Sequence, residues 1–203
     1  MLSQTLINQI DQLRETFSAR MAEEALEEKS PIVVSAQSDT VWVSIQLIDC
    51  DRLGYLLTAL ETQLINDNQA GIAIDKTQIE DQIGMLLEKI TYLTESLTLV
   101  EKEADLSRVL IRSANPDKRV DGIYYYELTL EVGKSIRFNR QCYNFETRRR
   151  GAVPFTLSKE TFERLANDLE AVLGGDETPP VDLPSRFETY PSRWETYIAN
   201  GHK

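Results

Sequence analysis

One row of side chains limits this chain's options more than any other feature. Ile79, Ile83, Leu86, Ile90, Leu93, Leu97 and Val100 follow one another at alternating spacings of four and three across three heptads. That period lines the apolar side chains along one narrow stripe of an α-helix, the geometry a second helix covers. The N-terminal stretch "LSQTLINQIDQLRETF" has matching spacing through Leu6, Ile10, Leu13 and Phe17 and predicts a helix reaching about Glu28. Two arrangements satisfy the seam: an intramolecular helical hairpin with the N-terminal helix, or a homodimer interface. Heptads require a partner helix without saying which chain supplies it.

Between these segments the period changes. In "SPIVVSAQSDTVWVSIQLI", Val41, Val43, Ile45 and Leu47 alternate with Trp42, Ser44 and Gln46, and "QSD" supplies a turn, so a β-hairpin is expected over 31–48. "DCDRLGYLLTALETQLI" returns to helical spacing through Leu53, Leu56, Leu57, Leu60 and Leu64, with Asp49 or Asp51 as N-cap.

From Leu106 alternation takes over. "LSRVLIRS", "GIYYYELTLEV", "KSIRFNRQCYNF" and "TRRRGAVPFTL" read as four strands separated by turn-rich segments. A helix follows at once, with Ser158 as N-cap, Phe162, Leu165, Leu169 and Val172 on its core face, and Gly174-Gly175 closing it. The last stretch holds four of the seven prolines and no apolar period, and reads as an extended tail. The expected fold is α+β in three parts. Residues 1–104 form N-terminal helices with a coiled-coil-like seam and a small hairpin. Residues 105–174 form a four-stranded antiparallel sheet with a C-terminal helix, and residues 175–203 form the tail.

Composition narrows the function. With 41% apolar and 27% charged residues the chain is ordinary for a globular protein. No apolar run reaches the length of a membrane span. The N-terminus reads as a helix rather than a signal peptide, and Cys50 and Cys142, far apart and outside any C-x-x-C pair, read as reduced thiols, the alternative being a disulfide between them. A cytoplasmic protein is expected. His202 is the only histidine and lies in the tail, which removes Ser-His and Cys-His schemes from the body of the protein. No glycine-rich phosphate cradle occurs, and the acidic pairs Asp49/Asp51 and Glu23/Glu24 are better explained as a helix cap and a solvated helix face. No catalytic residue, metal site or cofactor is expected.

The net charge of −11 is unevenly placed: residues 106–151 carry 10 basic and 5 acidic side chains, while residues 1–105 carry 7 and 19. The basic insert interleaves cations and rings. Arg137, Asn139, Gln141 and Tyr143 share one face of their strand, Tyr124 and Tyr126 share a face of theirs, and Arg148, Arg149 and Arg150 precede the last strand. Cations that track phosphates beside rings that stack on bases suit single-stranded nucleic acid. An acidic protein partner, a solvated face, or the chain's own acidic helices satisfy the same residues.

Over residues 122–173, with "RRRGAVPFTLSKETFERL" as its clearest portion, the chain resembles the Whirly and positive-cofactor-four group of single-stranded DNA-binding proteins. The resemblance implies a curved four-stranded sheet meeting a helix, and a binding role for the basic residues. The candidate binding residues are thus Arg137, Arg140, Tyr143, Arg148, Arg149 and Arg150. The tail adds a second set. "PSRFETYPSRWETY" repeats one heptapeptide, with Phe187, Tyr190, Trp194 and Tyr197 as anchors for a partner's grooves or for the protein's own body. The expected activity is that of a non-catalytic adaptor or accessory factor holding a protein partner, the alternative a single-stranded nucleic-acid-binding regulator.

Overall fold

The computed structural model describes residues 2–23, 30–65, 76–103 and 107–174. Within them the element order is α1 (Leu2–Glu23), β1 (Ile32–Gln37), β2 (Val41–Cys50), β3 (Gly54–Leu64), α2 (Lys76–Lys89), β4 (Leu97–Lys102), β5 (Arg108–Ser113), β6 (Asp117–Lys118), β7 (Gly122–Glu131), β8 (Ser135–Asn144), β9 (Arg149–Val153), β10 (Phe155–Ser158) and α3 (Lys159–Gly174). The strands form one ten-stranded sheet with the main order β1-β2-β3-β8-β7-β5-β4, antiparallel at every pairing.

The class is α+β, but the expected architecture is overturned. The sheet has ten strands rather than four, and a single helix stands at the N-terminus. Leu53 to Leu64 forms no helix. Asp51 caps a turn, its Oδ1 accepting the Leu53 and Gly54 backbone N–H groups at 2.7 and 2.8 Å, and β3 follows. A side chain at position 54 would run into the Leu157 carbonyl of β10, so the close approach of the two strands requires glycine there. The leucine spacing misleads because β3 is central and buried on both faces at Ala59 and Leu60, which erases alternation.

The heptad seam is broken for a similar reason. Ile79, Ile83 and Leu86 form the buried face of α2, whose last turn closes with the Ile90 N–H donating to the Leu86 carbonyl at 3.1 Å. Ile90 and Leu93 then sit in the connecting loop, both buried, and Leu97 begins β4. Leu97 belongs equally to the four-three row and to the alternating run "LTLV", and pairing with β5 decides between them. The seam therefore covers this protein's own core and forms neither a helical hairpin nor a helical dimer face.

The hairpin at 31–48 forms as β1 and β2, in register from Ile32↔Leu47 to Gln37↔Trp42. The run "TRRRGAVPFTL" divides at Pro154, which has no N–H for a ladder. Before it, β9 pairs with the second half of β8; after it, β10 pairs with the start of β3. The β9–β10 segment thus fills the fork where β3 and β8 part. The Ser158 hydroxyl then accepts the Thr161 N–H at 3.1 Å and starts α3. Phe162, Leu165, Leu169 and Val172 of α3 are fully buried, each worth about 1.5–3 kcal/mol of apolar transfer. The sheet is continuous between the segments 1–104 and 105–174 through β3–β8. The tail anchors Phe187, Tyr190, Trp194 and Tyr197 lie outside the described residues.

Candidate functional site

Strand register sorts the six sequence-predicted residues into two groups. In β7 and β8, Leu128↔Phe138 and Leu130↔Ile136 face the core, and so does Tyr126↔Arg140. The opposite, open face carries Glu127↔Asn139, Thr129↔Arg137, Tyr125↔Gln141 and Ile123↔Tyr143. Arg140 therefore points away from Arg137, into a nearly closed site. Its guanidinium donates to Glu95 Oε1 at 2.8 Å and to the Tyr126 hydroxyl at 3.3 Å, approaches Asp117 at 3.5 Å, and stacks over the Tyr126 ring at 4.8 Å. Tyr126 is itself stacked on Phe138 at 5.3 Å, so its ring belongs to the core.

On the open face, Glu127 is the hub of the charge network. Arg112 Nε reaches its carboxylate at 2.7 Å with both side chains 7% exposed, and Arg150 reaches it from β9 at 3.0 Å. Arg137 pairs across β8 and β3 with Glu61 at 3.2 Å. Tyr125, which shares this face with Tyr143, is only 2% exposed beneath the Arg112 guanidinium. Arg150 also lines a cleft of about 250 Å³ with Glu101, Glu103, Arg108, Leu110 and Glu127, a mixed-charge surface rather than a cationic track. Three of the six residues, Arg137, Arg140 and Arg150, are thus held by the protein's own carboxylates. Arg140–Glu95 and Arg112–Glu127 are the pairs that water and salt screen least, whereas the Arg137 and Arg150 side chains are 44% and 45% exposed.

The other three meet at one end of the sheet. The turn 119–121 leads from β6 into β7, and the turn 145–148 joins β8 to β9. The two turns are tied together: the Phe145 N–H donates to the Asp121 carbonyl at 3.0 Å. Asn144 Oδ1 accepts the Thr147 N–H and hydroxyl at 2.8 and 3.1 Å, which fixes the second turn. Arg148 closes it at φ 55°, a left-handed conformation that costs a non-glycine residue roughly 1–2 kcal/mol. The residue is held there by the turn around it, the usual circumstance in which such strain accompanies a functional position.

What this tip presents differs from the rest of the sheet. Arg148 and Arg149 are exposed, with no ion-pair partner among the described residues. Beside them stand Val120, fully exposed, and Phe145, 45% exposed, whose ring meets Tyr143 edge-on at 6.2 Å. The acids nearby are partly occupied. The Tyr124 hydroxyl donates to Asp121 at 2.6 Å and holds that carboxyl below its ordinary pKa, and Asp117 takes Arg119 at 2.8 Å. The tip combines two apolar groups, an aromatic pair and two unclaimed guanidinium groups.

Of the six residues, Tyr143, Arg148 and Arg149 come together at this tip, beside Val120 and Phe145, which sequence reasoning missed. The signal for the missed pair is that each sits in a segment otherwise built from Arg, Asp, Gly, Asn, Glu and Thr and extends no buried row. Compared with known proteins, the chain matches no family model, and no curated protein and no solved structure matches it either.

Proposed function

We propose that the chain is a cytoplasmic, non-catalytic adaptor or accessory factor that holds a protein partner at the tip formed by Val120, Tyr143, Phe145, Arg148 and Arg149. The observation that carries this reading is the coincidence of exposed apolar groups with the unpaired arginines, while the other candidate arginines are internally neutralised. Aromatic and Arg side chains in one cluster are the composition of interface hot spots, where an apolar centre excludes water around the charged contacts. The tail anchors Phe187, Tyr190, Trp194 and Tyr197 belong to the same proposal as a second contact. Linked contacts raise overall avidity, commonly by about 10²-fold or more.

The test is co-purification from native extract with nuclease present, comparing wild type with Val120→Ser/Phe145→Ser and with Arg148→Ala/Arg149→Ala. Both variants are expected to lose the same partner while melting with wild type, because neither removes a buried group. Retention of the partner by both variants contradicts the site.

A second reading, a single-stranded nucleic-acid-binding regulator of the Whirly kind, is favoured by one observation: the Phe145 ring stands half exposed next to Arg148 and Arg149. Against it, Tyr125 and Tyr126 are covered and unable to stack on bases. Oligonucleotide binding that weakens log-linearly with salt, with a slope reduced in the Arg148→Ala/Arg149→Ala variant, would select this reading over the first.

A further inference from the structure

The two edges of the sheet are built to different standards. β4 is half-buried, carries Glu101 and Lys102, and breaks its ladder with a bulge between Leu99 and Glu101. Lys102 also reaches Glu80 of α2 at 3.8 Å. Charges, bulges and partial cover are the devices that keep an edge strand from pairing with another chain. β1 has neither charge nor bulge. Its six residues, "IVVSAQ", include no charge and no proline, its register with β2 is unbroken, and Val33 is 63% exposed.

The open backbone groups of β1 follow from its pairing. The Ser38 N–H donates to the Val41 carbonyl at 2.8 Å, and bonded pairs alternate along an antiparallel ladder. With Val34 opposite Ile45, the N–H and C=O groups of Ile32, Val34 and Ala36 turn toward β2. Those of Val33, Ser35 and Gln37 turn outward, and the same three residues have exposed side chains. Among the described residues no strand covers them. α1 packs on β1, and residues 2–10 at its start contain no acidic or basic side chain; neither do residues 30–38.

We propose that β1 is a self-association edge, pairing antiparallel with β1 of a second copy of this chain. Charge selects that occupant. Like charges repel between copies of a chain carrying −11, and β1, without a charged residue, is an edge at which two copies meet without adding to that repulsion. The pattern of the strand is also self-complementary. A two-fold axis through Val34 sets Val33 opposite the partner copy's Ser35 and Ile32 opposite its Ala36. Each residue then faces one on the same side of the sheet, and the core faces of the two copies are continuous. A contact of this size, one six-residue strand with helix flanks, makes a weak and concentration-dependent dimer.

Sedimentation equilibrium on the full chain, over a concentration series up to its solubility limit, tests the inference. Wild type is expected to move from monomer to dimer mass. Val33→Lys places a cation on the exposed side of the edge, and Ser35→Pro removes an outward N–H that the β1–β2 ladder does not use. Each is expected to shift dimerisation at least tenfold higher in concentration, with melting close to wild type. Should Ser35→Pro fail to fold, Val33→Lys carries the test alone. Wild type remaining monomeric throughout the series overturns the proposal. So does a Val33→Lys variant that dimerises as wild type does, because the edge would then lie elsewhere.

Discussion

Arg140 and Arg149 stand on adjacent strands of one hairpin, yet their surroundings differ in kind. Arg140 is 13% exposed and bound to Glu95, Asp117 and Tyr126, tying β8 to β6 and to the loop before β4. Arg149 stands in solvent with no carboxylate within reach among the described residues. A basic stretch in sequence is therefore no measure of basic surface. Arg137 and Arg140 neutralise Glu61 and Glu95, acids that the fold brings from outside the insert, Arg112 and Arg150 share Glu127 within it, and Arg148 and Arg149 are left at a turn.

The contrast breaks most sharply at Arg140. Arg140→Ala leaves Glu95, whose second carboxylate oxygen already lacks a partner, as an uncompensated buried charge. A loss of about 3–5 kcal/mol in urea unfolding is expected. Replacing both partners, as Arg140→Met with Glu95→Met, is expected to recover most of that loss, because removing a buried pair together costs far less than splitting it. If Arg140→Ala unfolds at the wild-type midpoint, the pair does not hold β8 and the division of the arginines fails.

Glu127 sharpens the comparison on the open face. Glu127→Gln keeps the shape but removes the charge shared by Arg112 and Arg150. The expected loss is roughly 2 kcal/mol, the range of a hydrogen bond to a charged group, read from the same urea midpoints. Arg148 is the smallest effect and has the opposite sign. Arg148→Gly relieves the left-handed turn and is expected to gain at most about 1 kcal/mol in thermal unfolding while weakening partner capture. A variant that loses stability there would mean that Arg148 is paired in solution.

The parts of the fold that sequence carries well are those governed by local chemistry. The β1–β2 hairpin and α3 are readable because alternation, a turn tripeptide and a Ser cap act within a few residues. What misleads is long-range pairing. Leu53 to Leu64 has leucines at helical spacing, and only the presence of β2, β8 and β10 on its flanks makes it a strand. Leu97 serves a helical row and a strand equally until β5 is there to pair with it. The site divides along the same line. Alternation puts Arg137 and Tyr143 on one face of β8 and Arg140 on the other, but nothing local reveals that Glu61 and Glu95 come to meet them. Val120 and Phe145 are uninformative one at a time and become a patch only when the Phe145 N–H joins the two turns.

The division of the arginines is read most directly from side-chain hydrogen exchange, resolved by nitrogen-edited NMR of the arginine Nε–H groups in the full chain. The Arg112 Nε–H, bonded to Glu127 at 2.7 Å and 7% exposed, is expected to exchange at least tenfold more slowly than those of Arg148 and Arg149. The latter two should exchange like free arginine in solution. Equal protection of all three would contradict the account, because Arg148 and Arg149 would then be claimed by the fold and unavailable to a partner.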